Sequence, residues 1–412
     1  MLEHFQRCLK RVNFYLKFVG LCLDDTDNKD SIFKRLRTHR IYTTHLLTFN
    51  LEVTAEVLWC VEAIITGKSF LEITYLMPCL TLCFLSNFKS ISFLYYASNI
   101  NELIDAMKNL QLNRMQIEEE GNHFKKNLID VHVSMLLNNT RRIIYLVILG
   151  ILMFASGPLF IMLPRYYETG EVKLELPFIA YYPFNEFDLR IYPWLYLHQM
   201  WTATEAVFMV YGPDCFFFTC CTFVQIQFLL LQYDMERVVN EKSHKCDKAK
   251  FKKLAVQHIE LMRCVDLMEK IFSKSILFNA LTSSVIICVT GFNVLVINNI
   301  VTMASFTAFL IFGLMQIFLY CYYGDSIMRS SIQVSDAIYN SQWYMTGAAE
   351  RKVFFIVLIR LVIYFFYHHI LAQKPSKVTA YGFFDLNLNA FTSILSTSWS
   401  YFALLKTIYH PE

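Results

Sequence analysis

The sequence predicts an all-α protein that crosses a membrane several times. Of its 412 residues, 55% are hydrophobic and 17% are charged, which is too apolar for an ordinary soluble protein. Several uncharged runs approach the ~20 residues that an α-helix needs to cross a bilayer. The Lys and Arg residues cluster in alternate loops and form no dense basic block. The lipid bilayer is therefore an expected partner and nucleic acid is not.

Apolar runs in the first part of the chain predict helices one to three. Residues 41–61 are the weakest candidate because they include Glu52 and Glu56, one turn apart. A charged side chain inside a membrane span costs roughly 2.5–3.5 kcal/mol, so this pair is expected to face protein or water. Residues 73–88 and 143–163 are uncharged and predict the second and third helices.

Two longer stretches predict helices four to six. Residues 193–233 are apolar but are interrupted by Glu205 and by the Gly-Pro-Asp triplet at 212–214, which indicates one long helix with a kink. Residues 275–324 carry no charge over 50 positions. That length is enough for two membrane helices joined by a short turn, which we expect near Asn298.

The basic residues predict the orientation of these helices. Of the 37 Lys and Arg residues, 31 lie in the N-terminal segment and the loops on its side, five lie on the opposite side, and Lys274 lies at a boundary. Positive charge accumulates on the cytoplasmic side of membrane proteins, so the N-terminus is expected in the cytoplasm. A G-protein-coupled receptor would have its N-terminus outside.

Two apolar segments decide how the chain ends. Residues 353–372 are interrupted only by Arg360 and are compatible with a further span or with a helix buried in a protein assembly. The first alternative gives eight spans and a cytoplasmic C-terminus, whereas the second gives seven and an external one. His368 and His369 have no further ligand at suitable spacing, so no metal site is predicted. Residues 386–405 follow, uncharged and long enough to cross a bilayer.

Polar side chains of this last segment are expected to share one helix face. At 100° per residue, five positions fall within an arc of about 60°. They are Asn389, Ser393, Ser396, Ser400 and Thr407. Such a stripe on a lipid-tolerant helix suits the wall of a water-filled pore. The alternative is that these groups only join neighbouring helices.

Five short motifs follow one another in the last third of the chain. They are QIFLYCYYGD at 316–325, YNSQWY at 339–344, AQKP at 372–375, GFF at 382–384 and FTSILSTSWSYFALL at 391–405. In this order and spacing they resemble the C-terminal third of an insect odorant receptor. A gustatory receptor of the same superfamily is the nearer alternative. The other alternative is a secondary transporter, which would show two halves with related helix patterns, and no such repeat is visible in this sequence.

The resemblance implies an architecture and a function. Members of this family are seven-helix subunits of tetrameric, odorant-gated, nonselective cation channels in the plasma membrane of olfactory neurons, assembled with the co-receptor Orco. No catalytic residue and no cofactor are expected. The resemblance divides the chain into four regions: a cytoplasmic segment at 1–40, helices one to six at 41–325, an anchor region at 326–384, and a pore region at 385–412. The second region includes an extracellular loop at about 165–192 and cytoplasmic extensions of helices four and five at about 233–270. Helix seven is split: its first half belongs to the anchor region, and its second half lines the pore and leads to an external C-terminus.

The resemblance also implies the functional residues. The gate falls on Leu404, Thr407 and Ile408, on or next to the polar stripe. The odorant site is expected in the extracellular half, between helices two, three, four and six. On this chain that selects Ile73, Leu76, Met77, Leu80, Met153, Gly157, Phe160, Gln199, Thr202, Ala203, Ala206, Phe306, Phe309 and Leu310. Gln199 or Thr202 would offer a hydrogen bond, and Glu205 is not expected to touch a neutral ligand.

Overall fold

The computed structural model describes residues 1–23, 40–115, 123–170, 174–239, 248–341, 344 and 377–409. Within these ranges the chain is all-α, which confirms the predicted fold class. The described helices are α1 (Leu2–Phe18), α2 (Arg40–Ile65), α3 (Phe70–Tyr95), α4 (Ala97–Met115), α5 (His123–Thr169), α6 (Tyr192–Glu236), α7 (Lys248–Val296), α8 (Ile300–Asn340) and α9 (Leu388–Tyr409). The segment 353–372, with His368 and His369, lies outside the described residues.

The long apolar stretches form the helices that the sequence predicts. α6 is one helix with Pro213 inside it. The uncharged stretch at 275–324 divides into α7 and α8, and Asn299 caps the start of α8 by accepting hydrogen bonds from the backbone of Val301 and Thr302 at 2.9 and 3.3 Å. α8 continues past residue 325 to Asn340, so the expected boundary between membrane and anchor regions falls inside a helix.

Five of the described helices are long and apolar enough to cross a membrane: α3, α5, α6, α7 and α8. The seven-span expectation also needs α2 and α9. Neither is among the five: α2 carries Glu52 and Glu56, and α9 carries the polar stripe. The number of spans therefore stays a prediction.

The helix α6 lies at the centre of the bundle. It contacts α1, α2, α3, α5, α7 and α8. Of its most apolar stretch 89% is buried, against 17% for the peripheral helix α5. A helix that is apolar on every side is stable only where other helices surround it. The sequence of α6 thus explains its place in the fold.

An N-terminal helix that the apolar runs do not predict packs against α6. α1 is amphipathic, and Phe5, Cys8, Val12 and Leu16 are buried along one face at spacings of three and four residues. The ring of Phe5 lies 4.9 Å from that of Phe223. At Gly212, an added Cβ would lie 2.7 Å from a methyl carbon of Leu16. Glycine at this position lets α1 approach the central helix closely.

A tight turn at residues 377–387 positions the start of α9. The backbone N–H of Thr379 donates to Glu269 of α7 at 2.6 Å, and that of Leu386 donates to the carbonyl of Val378 at 3.0 Å. Tyr381 and Gly382, at φ 51° and 79°, form the corner, which is the left-handed geometry of tight hairpin turns. α9 then packs on α7 and α8.

Gly324 is where this turn meets α8. A Cβ on Gly324 would lie 2.4 Å from the carbonyl oxygen of Leu386, closer than any real contact. We therefore expect Gly324→Ala to displace the turn and to destabilise the protein by roughly 1–3 kcal/mol. The measurement is the thermal unfolding midpoint of the purified protein in detergent.

The control for this experiment is Gly291→Ala on α7. There the added Cβ would meet Phe402 of α9 at 3.7 Å, an ordinary van der Waals distance. Equal unfolding midpoints for the two variants would contradict the close contact at Gly324.

Candidate functional site

A cavity of about 400 Å³ lies between α2, α3, α5, α6 and α8. Its wall is mostly apolar and comes mainly from α5, between Leu146 and Phe154, and from α8, between Ala304 and Phe312. α2 contributes Phe49 together with the carboxyl groups of Glu52 and Glu56. Concave, largely apolar sites of this size with a few polar groups are typical of small-molecule binding.

Phe178, in the loop before α6, lines the cavity. Its ring stacks on Phe154 of α5, with centroids 5.6 Å apart and planes at 17°. Gln199 holds the backbone of Phe178 from both sides: the N–H of Phe178 donates to Oε1 at 3.1 Å, and Nε2 donates to the carbonyl at 3.1 Å. The loop is therefore a fixed part of the cavity wall.

Glu52 of α2 holds the same loop in place. Tyr182 donates its hydroxyl to both carboxyl oxygens, at 2.8 and 3.0 Å, and Gln199 donates to Oε1 at 3.2 Å. His198 adds a contact of 3.3 Å to Oε2. Burial and the neighbouring Glu52 carboxyl raise the pKa of Tyr182, so the phenol stays protonated and remains a donor.

A buried ion pair ties three of the cavity helices together. Lys89 of α3 lies 2.6 Å from Oδ1 of Asp214 of α6, and both side chains are almost fully buried. From α8, Tyr320 donates to Oδ1 at 2.5 Å and Gln316 donates to Oδ2 at 2.8 Å. The carboxylate is thus satisfied by one cation and two hydrogen bonds.

Five of the predicted ligand residues line the cavity: Met153, Thr202, Ala203, Ala206 and Phe309. Nine others lie off it. Leu76, Leu80, Gly157, Gln199 and Phe306 are buried elsewhere in the bundle, Ile73, Met77 and Leu310 are half-buried, and Phe160 is exposed on α5. Gln199 contacts the loop and Glu52 instead of the cavity, and Glu205 contacts His45. The ligand contacts themselves stay predictions.

Sequence reasoning missed the contribution of α2 and of the loop. The two carboxyl groups inside an apolar run were a signal, because such groups mark protein interiors or functional sites. Phe178 had no comparable signal. Its position depends on Gln199, which is 21 residues away in the chain. No group of three or more His, Cys, Asp or Glu in the described ranges could hold a metal ion.

The polar stripe of α9 faces away from the rest of the bundle. Asn389, Ser393, Ser396, Ser400 and Thr407 are all exposed, and Leu404 is 55% exposed. Ser398, on the opposite side, is buried. The side chain of Ile408, the remaining gate residue, lies outside the described part of the structure. The stripe is therefore a free surface of this chain.

The fold is a helical bundle with five helices long and apolar enough to cross a membrane, and it contains a largely apolar internal cavity. The sequence model of the family described as 7tm Odorant receptor matches residues 69–399, and the chain belongs to that family. This match confirms the resemblance to insect odorant receptors. It also confirms that the chain is a receptor and not an enzyme.

Individual relatives cover nearly the whole chain. Putative odorant receptor 92a of Drosophila melanogaster is 24% identical over 93% of this chain and 91% of its own length. Odorant receptor 85b of the same species is 23% identical over 98% and 99%. The solved structure of olfactory receptor OR5 from Machilis hrabei in complex with eugenol superposes with a TM-score of 0.77 at 15% identity, over 99% of each chain. This last likeness supports the fold.

We expect the Lys89–Asp214 pair to dominate the stability of the bundle centre. Lys89→Met leaves the Asp214 carboxylate buried without its cation, at a cost of roughly 3–5 kcal/mol. The double variant Lys89→Met, Asp214→Asn removes both charges and is expected to recover part of that loss. Thermal unfolding midpoints of the purified proteins measure both effects.

Lys108→Met is the matched control. Lys108 forms a half-exposed pair with Asp105 at 3.6 Å, and such surface pairs contribute about 0–1 kcal/mol. A Lys89 variant as stable as the Lys108 variant would contradict the role assigned to the buried pair.

Proposed function

We propose that this chain is the odorant-binding subunit of a ligand-gated, nonselective cation channel that assembles with the co-receptor Orco. The main observation behind this proposal is the largely apolar cavity of about 400 Å³ that is lined by five helices and by Phe178. Burying on the order of 300 Å² of apolar ligand surface contributes about 7 kcal/mol before the costs of binding. That supports binding in the micromolar range at best, which suits a small volatile ligand.

The contacts of α8 support a link between this cavity and the proposed pore helix. α8 lines the cavity between Ala304 and Phe312 and meets α9 further along, where the rings of Phe318 and Phe391 lie 5.5 Å apart. A ligand that shifts α8 would therefore act directly on α9. Four subunits arranged around an axis could place the free polar stripe of α9 on a shared pore.

The rest of the proposal concerns the assembly. We infer seven spans with a cytoplasmic N-terminus, an anchor region at 326–384 and a pore region at 385–412, in a heterotetramer with Orco at the plasma membrane of olfactory neurons. The excess of basic residues on one side of the predicted spans supports this orientation. The exposed face of α9 supports the position of the pore.

The direct test is co-expression with Orco in oocytes, followed by a panel of volatiles under voltage clamp. We expect at least one volatile to evoke current. Ala203→Leu narrows the cavity and is expected to reduce the potency of that volatile at least ~10-fold, because overpacking a filled site costs about 1–3 kcal/mol. The measurement is the half-maximal concentration.

Thr204→Leu, at the neighbouring position of α6 but off the cavity, is the control and is expected to keep the wild-type potency. Equal losses in the two variants would place the ligand elsewhere. If the protein reaches the surface but no volatile evokes current, the proposed odorant function is wrong. A gustatory receptor or a transporter is then the better interpretation.

The proposed gate has its own test. A ring of apolar side chains stops ions by dewetting a narrow constriction, so Leu404→Ser is expected to raise ligand-independent current. Ser398→Ala changes the buried face of the same helix and is expected to leave conduction unchanged. Basal current at matched surface expression is the measurement, and in a complex with three Orco subunits the increase is expected to be modest. Equal currents in both variants would mean that the stripe packs against other helices and the pore lies elsewhere.

A further inference from the structure

One buried carboxyl group in the cavity differs from the others in the described part of the chain. Six acidic side chains are buried there, and five have a basic partner. The pairs are Glu52 with His198, Glu205 with His45, Asp214 with Lys89, Asp234 with Arg114 and Lys125, and Asp325 with Arg329. Glu56 has none among the described residues. A buried carboxyl group is costly unless a cation or hydrogen bonds satisfy it.

The surroundings of Glu56 offer it little hydrogen bonding. The residue is 3% exposed and lines the cavity. Within the described ranges no group donates to its Oε2. The thiol of Cys83 is its polar neighbour, and a thiol is only a weak donor. Glu52, one turn earlier, is already satisfied by Tyr182 and Gln199.

The remaining wall of the cavity supplies no compensating charge. None of the described residues that line it is a Lys, Arg or His. The lining also includes aromatic side chains, among them Phe154 and Phe309, whose rings are 4.9 Å apart. The site therefore combines an apolar body with one unsatisfied acceptor at its α2 side.

We propose that the cavity selects small apolar molecules that carry one terminal primary amine, and that Oε2 of Glu56 accepts a hydrogen bond from this ammonium group. The proposal rests on the odorant-binding function and names the ligand class of that same cavity. The ammonium group supplies the basic partner that each of the other buried carboxyl groups already has. The alkyl or aryl body lies against α5 and α8. An alcohol offers the same donor without the charge and binds more weakly.

The first test needs no variant. Receptor and Orco are co-expressed in oocytes, and n-hexylamine, n-hexanol, hexanone and hexane are compared at neutral pH by half-maximal concentration. Because a hydrogen bond to a charged group contributes about 1.5–3 kcal/mol, we expect the amine to be at least ~10-fold more potent than the ketone, with the alcohol between them.

The outcomes separate the two proposals. Hexanone or hexane as potent as the amine would overturn the ligand class while leaving an odorant receptor in place. If the protein reaches the surface but neither these four compounds nor a broad volatile panel evokes current, the odorant function and the ligand class are both overturned.

The second test uses variants of Glu56. Glu56→Gln keeps the size of the side chain and removes the charge, so the potency of hexylamine is expected to fall at least ~10-fold while that of hexanone changes little. Glu62→Gln, on the same helix but off the cavity, is the control and is expected to keep the wild-type order of ligand potencies. If Glu56→Gln fails to reach the surface, Glu56→Asp retains the carboxylate and is expected to keep the amine preference. An undiminished advantage for the amine in Glu56→Gln would overturn the assignment.

Discussion

The buried ion pair between Lys89 and Asp214 is the interaction on which the arrangement of the cavity helices depends. Two charges removed from water lose several kcal/mol of hydration each, and their mutual attraction offsets this only with good geometry and further hydrogen bonds. Tyr320 and Gln316 supply those bonds from α8. The pair therefore holds α3, α6 and α8 in one relative position, and all three helices contribute residues to the cavity wall.

Close packing around α6 extends this constraint to the ends of the chain. Gly212 lets α1 pack closely against the central helix. Gly324 lets the turn that precedes α9 pack closely against α8. Packed interiors resist small changes of volume, so a shift at the cavity wall passes to neighbouring helices and is not absorbed locally. The position of α8, which touches both the cavity and α9, makes it the physical connection between ligand and proposed pore.

The helix predictions succeeded where the signal is local. The uncharged stretch at 275–324 was sufficient to predict α7, α8 and the turn at Asn299, because hydropathy and length decide whether a segment can be a long buried helix. α1 was missed because its apolar residues are periodic and not contiguous, a pattern that a search for uncharged runs does not detect. The spacing of Phe5, Cys8, Val12 and Leu16 carried that information.

The sequence by itself determined the all-α class, the course of the long helices, the family and the polar face of α9, since each follows from composition, periodicity or motifs within one segment. Only the tertiary structure decided that α2 and Phe178 contribute to the cavity wall and that Gln199 hydrogen-bonds the backbone of the loop before α6. Those contacts join distant residues, as do Lys89 and Asp214, which are 125 positions apart. No local pattern specifies such a pairing, because it forms only when the helices pack.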